Sequence, residues 1–470
     1  MSSLINDTEI PVLIQGVDWN DEEWQRLLRE RLPDDWQEQA IKTKAWQRTR
    51  KLASIGDLLR ALLVYAMYGY SFRQLGIWAT LVGLGSLSER AWRKRVQRAG
   101  EWIVWLMGAL IGTQVTPNWI HQGLGRILLV DATRFKQPAG TGDDLRLHCA
   151  YDLRAGRLAH VEISDCHGAE GLHHFDLQAG DITVTDAGYP LGACVQRGQK
   201  QGAFGVHRVS DHQVRFERED GQKIDLKRLV KHQGYGTVTQ RMVWVWDPKH
   251  KERFPVRLVI EVLPRKQAMQ ARERKREHIR RKHGPKHSMA SAWWGGVLLL
   301  ATTLPQEQWS APEVVKLYRA RWQIELVFKR LKQGLQLHLL PLKLWERAKV
   351  YVHLCLIVWS LQEQEAQVLS SQLTGLLCEP AVGEPLEQTE EESEEPQWVI
   401  SNWQLMRTQL DRLRMIVHGT WSSRRWQDCL PLLLRYFVSR RRPKRVSQET
   451  EVLAWLQKRS RSLAKKGTLA

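Results

Sequence analysis

Tyr318-Arg-Ala-Arg-Trp-Gln-Ile-Glu-Leu-Val-Phe-Lys-Arg-Leu-Lys332 is the stretch from which the rest of the chain is interpreted. At about 100° per residue on an α-helix, Arg321, Glu325, Lys329 and Lys332 fall at roughly −60°, −20°, +20° and −40° from Tyr318. One narrow face therefore carries a phenol, a guanidinium, a carboxylate and two amines. Leu317, Ala320, Ile324, Val327 and Leu331 occupy the other side, which suits docking on a sheet. The polar stripe has two readings. It is either a solvated ion-pair ladder, with Glu325 and Lys329 at i,i+4, or a metal-binding carboxylate flanked by phosphate-holding cations. The same periodicity predicts one long helix from Ala311 to about Gly334.

Upstream, two aliphatic runs of strand length each stop at an acid. Arg126–Val130 ends at Asp131, and Ile182–Thr185 ends at Asp186. An acid placed where a buried strand leaves its sheet is held rigidly at the sheet edge, and hard divalent cations take such oxygen ligands. Aspartate is also a common strand terminator, so one such acid means little and two in one sheet are suggestive. Leu145–Tyr151 and Leu158–Ile163 are further strands, joined by the turn Asp152-Leu-Arg-Ala-Gly156 into an antiparallel meander. Residues from about Phe204 to Leu263 continue with β-rich patches, Met242–Trp246 and Val256–Val262 among them, and Val297–Thr303 is the last strand expected.

The chain has 470 residues, 43% of them hydrophobic and 26% charged, with 70 Lys+Arg against 51 Asp+Glu for a net charge of +19. That length implies roughly two to four folding units, and the apolar content excludes wholesale disorder. The positive excess favours a polyanionic partner, nucleic acid before an anionic membrane. Leu58–Met67 and Val297–Leu304 fall short of the roughly 18 residues of a membrane span. The first residues show no cationic start followed by an apolar run, so a soluble, cytoplasmic protein with no membrane partner is expected. Six cysteines without a CxxC spacing suggest reduced thiols and no zinc site. His173 and His174, near His167, are expected to sit on an ordinary surface loop with their rings pointing apart.

The first 120 residues have helical periodicity, with Leu52–Tyr68 the clearest case. Ser71 and Ser88 are N-cap candidates for two further helices separated by Gly83 and Gly85, the outline of a helix-turn-helix. The second helix sets Arg90, Arg93, Lys94, Arg95 and Arg98 against Trp92 and Val96, and Arg93 and Lys94 are its candidate DNA contacts. Arg265–Lys286 carries ten Lys/Arg against Glu273 and Glu277; it is either a solvated helix or an arm that tracks phosphates. Glu379–Pro396, with eight glutamates, three prolines and no Lys or Arg, has the composition of an acidic linker. From Ser401 onward, sixteen Lys/Arg against four acids predict a basic helical module.

The spacing Tyr318, Arg321, Glu325, Lys332, with Asp131 in Val-Asp-Ala-Thr and Asp186 in Asp-Ala-Gly-Tyr, resembles the Y-R-E-K signature and the two leading acids of the IS4-type DDE transposases, the Tn5-like group. Arg146–Gly156 is similar to that family's strand after the first Asp. The resemblance implies an α/β protein: an RNase H-like catalytic core with an inserted β-rich domain, flanked by helical N- and C-terminal domains. The wide gap between Asp186 and Glu325, against a short one between Asp131 and Asp186, has room for the insertion.

The implied division is a helical DNA-binding domain at 1–120 and a first core part at 121–204. A β-rich insertion with its basic arm follows at 205–292, then a second core part at 293–375. An acidic linker at 376–400 and a basic helical domain at 401–470 complete it. The resemblance further implies that Asp131, Asp186 and Glu325 are catalytic and hold two Mg2+ ions, with Mn2+ as a substitute, for in-line phosphoryl transfer. Tyr318, Arg321, Lys329 and Lys332 would grip DNA phosphates, and Trp322 with Trp293 or Trp294 would stack on a flipped base. Partners would be transposon-end and target DNA and a second copy in a synaptic homodimer, on a bacterial nucleoid. Two other classes stay open: a metal-dependent RNase H-like nuclease that cuts without joining, and a non-catalytic transposase-derived regulator.

Overall fold

The computed structural model describes residues 21–49, 51–112, 125–136, 145–165, 167–210, 214–247, 251–283, 290–335, 337, 340, 345–378, 398–400, 402–421, 426–427, 429–430, 436–440, 451–456 and 458–459. The chain divides into two compact units. A helical unit combines Met1–Gln114, Phe135–Asp144 and Lys329–Val446, and a sheet unit combines Val115–Arg134, Leu145–Phe328 and Ser447–Ala470.

In the helical unit, α1 (Glu22–Arg31), α2 (Trp36–Lys42), α3 (Ile55–Tyr68), α4 (Phe72–Leu81), α5 (Glu89–Arg98) and α6 (Gly100–Gly112) follow in order. Ser71 and Ser88 cap α4 and α5 as expected, Ser71 in a reciprocal capping box with Gln74. Gly85 is obligatory at the turn between them: at φ +145°, a Cβ there would stand 2.0 Å from the Lys51 carbonyl oxygen. Trp92 and Val96 are fully buried on the inner face of α5, while Arg93 is exposed and paired with Glu89 at 2.7 Å.

The sheet unit begins with β1 (Ile127–Phe135), β2 (Leu145–Asp152) and β3 (Arg157–Asp165), then β4 (Ile182–Thr185), α7 (Leu191–Gln201) and β5 (Phe204–Arg208). After β6 (Phe216–Glu217) and α8 (Leu226–Lys231) come β7 (Val238–Asp247), β8 (Glu252–Val262), α9 (Arg265–His283) and β9 (Val297–Thr302). One nine-stranded sheet results, in the order β3-β2-β1-β4-β5-β9-β8-β7-β6. β1, β4 and β5 are parallel neighbours, and β9 returns antiparallel beside β5 and β8. The β-rich segment therefore prolongs the sheet and forms no separate one among the described residues. Its core joins Phe216, Val243, Val245, Val256, Leu258 and Leu299 with Leu191 and Val195 of α7. Leu128 and Val130 face a second cluster with Phe175, Tyr189 and Cys194, which is the period-two alternation of a strand.

The expected long helix is two helices, α10 (Ala311–Arg319) and α11 (Trp322–Gly334). Between them the backbone tightens to i→i−3 bonds, Ala320 N–H to Leu317 O at 3.1 Å and Arg321 N–H to Tyr318 O at 3.0 Å. No glycine or proline marks the break, so periodicity alone passes over it. α11 straddles the two units, with Phe328 counted in the sheet unit and Lys329 in the helical one.

The helical unit is completed by α12 (Trp345–Cys378), β10 (Trp398–Ile400), α13 (Asn402–Val417) and β11 (Val438–Arg440), β10 pairing antiparallel with β11. α13 lies in this unit. Arg60 of α3 donates to Val417 O at 2.6 Å, and Arg412 reaches Glu365 of α12 at 2.6 Å. Glu379–Pro396 and the basic run 441–445 lie outside the described residues.

Candidate active site

Ile127–Val130 are fully buried, and Asp131 is the first residue of β1 that reaches a partly open position. β4 repeats the pattern, four buried residues and then Asp186. The two strands pair in parallel, Leu128 with Thr183 and Leu129 with Val184. Continued for two residues, that register sets Asp131 beside Asp186 on neighbouring strands, whose usual spacing is about 4.8 Å. Each acid fixes its own loop: Asp131 Oδ1 accepts from Ala132 N–H at 2.8 Å, and Asp186 Oδ1 from Gly188 N–H at 2.8 Å.

The third acid arrives on α11. Ser310 and Glu313 form a capping box that starts α10, and Arg319 at its end pairs with Glu261 of β8 at 2.5 Å. The tight turn that follows delivers Arg321, whose Nη1 lies 3.2 Å from Asp131 Oδ2 while its Nη2 pairs with Glu325 Oε1. One guanidinium thus ties the α11 acid to the β1 acid Asp131, which lies 190 positions before Arg321 in sequence.

Burial pushes the Asp131 carboxyl up to about 6, Asp186 and Glu170 adding to the rise and Ala132 N–H and Arg321 opposing it. Arg321 is held further above its already high range despite its burial, by Tyr318, Glu325 and Asp131. The Tyr318 ring lies 6.0 Å from the guanidinium carbon, and its hydroxyl is buried without a hydrogen-bond partner among the described residues.

Sequence reasoning paired Glu325 with Lys329, whereas the structure pairs it with Arg321. Trp322 is 53% exposed, as a base-stacking side chain requires. Trp293 and Trp294 are half-buried, 4.9 Å apart edge to face, and packed on the core of β6–β9. Lys329 is exposed and Lys332 Nζ lies 5.5 Å from the Phe135 ring, both in the helical unit with Arg93 and Lys94.

The expected diverging histidines are corrected. His174 is buried, its ring 3.7 Å from that of His148 and 4.0 Å from that of His173. Leu172–His174 is a 3₁₀ turn, so the rule for a regular element does not apply. The acid that sequence reasoning missed is Glu170, which stands in a His/Gly-rich loop with no periodic pattern to mark it.

A divalent cation fits this donor set chemically: hard carboxylate oxygens from Asp131, Asp186 and Glu325 on three elements, with negative charge exceeding what Arg321 neutralises. Among the described residues, no three acidic, imidazole or thiolate groups already stand at ligand spacing, and Arg321 is inserted between two of the acids. No helix among the described residues is long and apolar enough to cross a membrane.

Comparison with known proteins agrees with the geometry. Residues 122–361 match the family model described as a transposase DDE domain. The chain is 31% identical over 324 residues to InsL of insertion sequence element IS186A from Escherichia coli (strain K12), named for a transposase, covering 68% of this chain and 87% of that one. It is 30% identical over 325 residues to the transposase for insertion sequence element IS421 from Escherichia coli, with the same coverage of each. The transposase for IS231E from Bacillus thuringiensis subsp. finitimus is 24% identical over 266 residues, 50% of this chain and 55% of that one.

Proposed function

The chain belongs to the transposase DDE family, and from that premise we propose that it binds the inverted-repeat ends of its element and moves the element by cut-and-paste strand cleavage and strand transfer. Asp131, Asp186 and Glu325 are the catalytic acids of this reading. The observation that carries it is the guanidinium of Arg321 joining Asp131 to Glu325, beside a parallel strand that ends in Asp186. The sheet order β3-β2-β1-β4-β5, an antiparallel meander followed by parallel strands linked through α7, supports an RNase H-like core in 121–204 and 293–375, with 205–292 as its insertion. The helical segment 1–120, the linker 376–400 and the basic segment 401–470 complete the division.

The three acids would hold two Mg2+ ions, or Mn2+, which when bound activate a water or 3′-hydroxyl and stabilise the leaving oxygen. Arg321 keeps Asp131 and Glu325 at one place and is charged at any working pH, so it can turn its donors to a phosphate. Tyr318 packs on that guanidinium and limits its rotation. Lys329 and Lys332, seven or fewer positions after Glu325 on α11, add cations for the DNA backbone. Trp322, exposed beside Arg321, offers a ring to an unstacked base, a role Trp293 or Trp294 would share only by leaving their packing. Arg93 and Lys94 of α5 contact end DNA in the manner of a helix-turn-helix.

The partners are transposon-end and target DNA and a second copy of the chain, in bacterial cytoplasm at the nucleoid. Incubation of the protein with Mg2+ and a labelled end carrying a 3′-hydroxyl tests the reading, with joined product expected. Cleavage without joining would instead identify a nuclease, and binding without cleavage a regulator.

A further inference from the structure

β3 ends at Asp165, and residues 167–171 lead back across the edge where Asp131 and Asp186 emerge. This return is fastened from several directions. Arg146 of β2, 6% exposed, donates from Nη1 to Gly168 O at 2.6 Å, and His174, 7% exposed, has Nε2 2.9 Å from Ala169 O. The other ring nitrogen of His174 lies 3.0 Å from Glu162 Oε1. Asp165 Oδ1 accepts from His167 N–H at 2.9 Å and Gly168 N–H at 2.8 Å. Ordinary surface loops spend few buried side chains on their carbonyls, and here two buried side chains fix the residues just before Glu170.

Glu170 is held where that fastening ends. Its Oε1 lies 3.8 Å from Arg146 Nη1. Its Oε2 turns toward Asp186: a Cβ built on Gly188 would stand 2.4 Å from Glu170 Oε2 and 3.1 Å from Asp186 Oδ1. The two carboxylates thus flank the same point beside Gly188. Asp131 belongs to the same group, since the parallel register of β1 and β4 sets it beside Asp186.

Tyr189 points independently to a missing ligand. It is 4% exposed, and its hydroxyl has no hydrogen-bond partner among the described residues. Burial first, and then the charges of Asp131, Glu170 and Asp186, raise its ionisation far above the ordinary phenol range. The hydroxyl is a buried donor with nothing to donate to among the described residues. Such orphans are costly and uncommon unless a water or ion completes them.

We propose that Glu170 is a fourth carboxylate of the site, a ligand to a divalent cation shared with Asp131 and Asp186, and that the Tyr189 hydroxyl donates to the water or carboxylate oxygens of that cation's shell. This rests on the reading of Asp131, Asp186 and Glu325 as the cation-binding acids.

Mn2+ binding to the full-length protein, followed by electron paramagnetic resonance of the free ion, tests it alongside cleavage of end DNA. Glu170→Gln lowers Mn2+ affinity about 10–100-fold, and raising Mn2+ restores cleavage; Tyr189→Phe gives a smaller loss of the same kind. Asp186→Asn loses binding without recovery. Wild-type Mn2+ affinity in Glu170→Gln, with Asp186→Asn still defective, overturns the role of Glu170 and leaves the three-acid reading standing. A lower melting temperature in Glu170→Gln with unchanged Mn2+ affinity and no rescue would mean that Glu170 serves Arg146 alone, which also overturns it. Asp131→Asn and Asp186→Asn that both bind Mn2+ like the wild type would sink the three-acid reading itself.

Discussion

Each unit of the molecule contains an arginine–carboxylate triad, and the two have opposite polarity. In the helical unit one carboxylate, Glu365, 2% exposed, sits between two guanidiniums: Arg31 Nε at 2.6 Å and Arg412 Nη1 at 2.6 Å. In the sheet unit one guanidinium, Arg321, sits between two carboxylates, Asp131 and Glu325. The first triad gives a buried acid more than enough positive charge, and Arg412 is further stacked 5.2 Å from the Trp421 ring. The second leaves negative charge over, with Asp186 and Glu170 adding to it and the hydroxyls of Tyr189 and Tyr318 without a partner among the described residues. Ion pairs alone do not separate a structural knot from a reactive site. The sign of the uncompensated charge, and the orphan groups around it, do.

The contrast predicts different failures. Glu325→Gln should lower end cleavage about a thousandfold, about 4 kcal/mol of transition-state stabilisation, while end-DNA binding measured by gel shift stays near wild type. Normal nicking by that variant would remove Glu325 from the catalytic set. Glu365→Gln should do the reverse, costing about 3–5 kcal/mol of stability by taking the buried carboxylate from between Arg412 and Arg31, seen as a lower denaturant midpoint, with the specific activity of the folded fraction unchanged. A variant as stable as the wild type would show that the helical triad is not a structural knot.

Acid should unsettle the framework under the sheet triad. His207, buried beneath Thr185 with its Nδ1 2.9 Å from Thr185 Oγ1, is pushed down to about 4 by burial. The unfolded imidazole takes up its proton near pH 6.5, so His207 contributes stability above that pH and loses it as the pH falls toward 4, by about 2 kcal/mol at pH 5. Asp131, pushed up to about 6, works in the opposite sense, because it protonates more readily folded than unfolded and so recovers part of the loss. Urea titrations at pH 7 and pH 5 should show the fall, to which His148 and His353, also pushed down by burial, add, and His207→Asn should lessen it; an equal fall in both proteins would refute the assignment. The smallest effect belongs to Trp322. Trp322→Ala should leave the melting temperature nearly unchanged and weaken binding to ends with an unpaired base by about 1 kcal/mol. Equal binding to paired and unpaired ends in both proteins would assign the exposed ring another role.

Legibility in the sequence followed the locality of the signal. The caps Ser71 and Ser88, the run that ends at Asp186, and the meander turn closing at Gly156 with φ +68° are written in neighbouring residues, and the fold has them where expected, whereas β1 continues past Asp131 to Phe135. The break at Ala320 is not, because a 3₁₀-type tightening needs no special residue. The i,i+4 spacing offers Glu325 both Arg321 and Lys329 as partners, and only the approach of Asp131 decides for Arg321. Counting arginines hid the apolar stripe of α13, in which Leu405, Leu413 and Ile416 are buried. Glu170 and the histidine stack depend on a loop whose path is set by contacts with β2 and β3, and no window along the chain contains those partners.

Crystals of the full chain with end DNA and Mn2+, measured by anomalous scattering, address the central claim most directly. Manganese peaks within about 2.3 Å of oxygens from Asp131, Asp186 and Glu325, with Arg321 displaced from between the acids, are the predicted result. Manganese bound elsewhere, with Asp131 and Glu325 still held by Arg321, would contradict it.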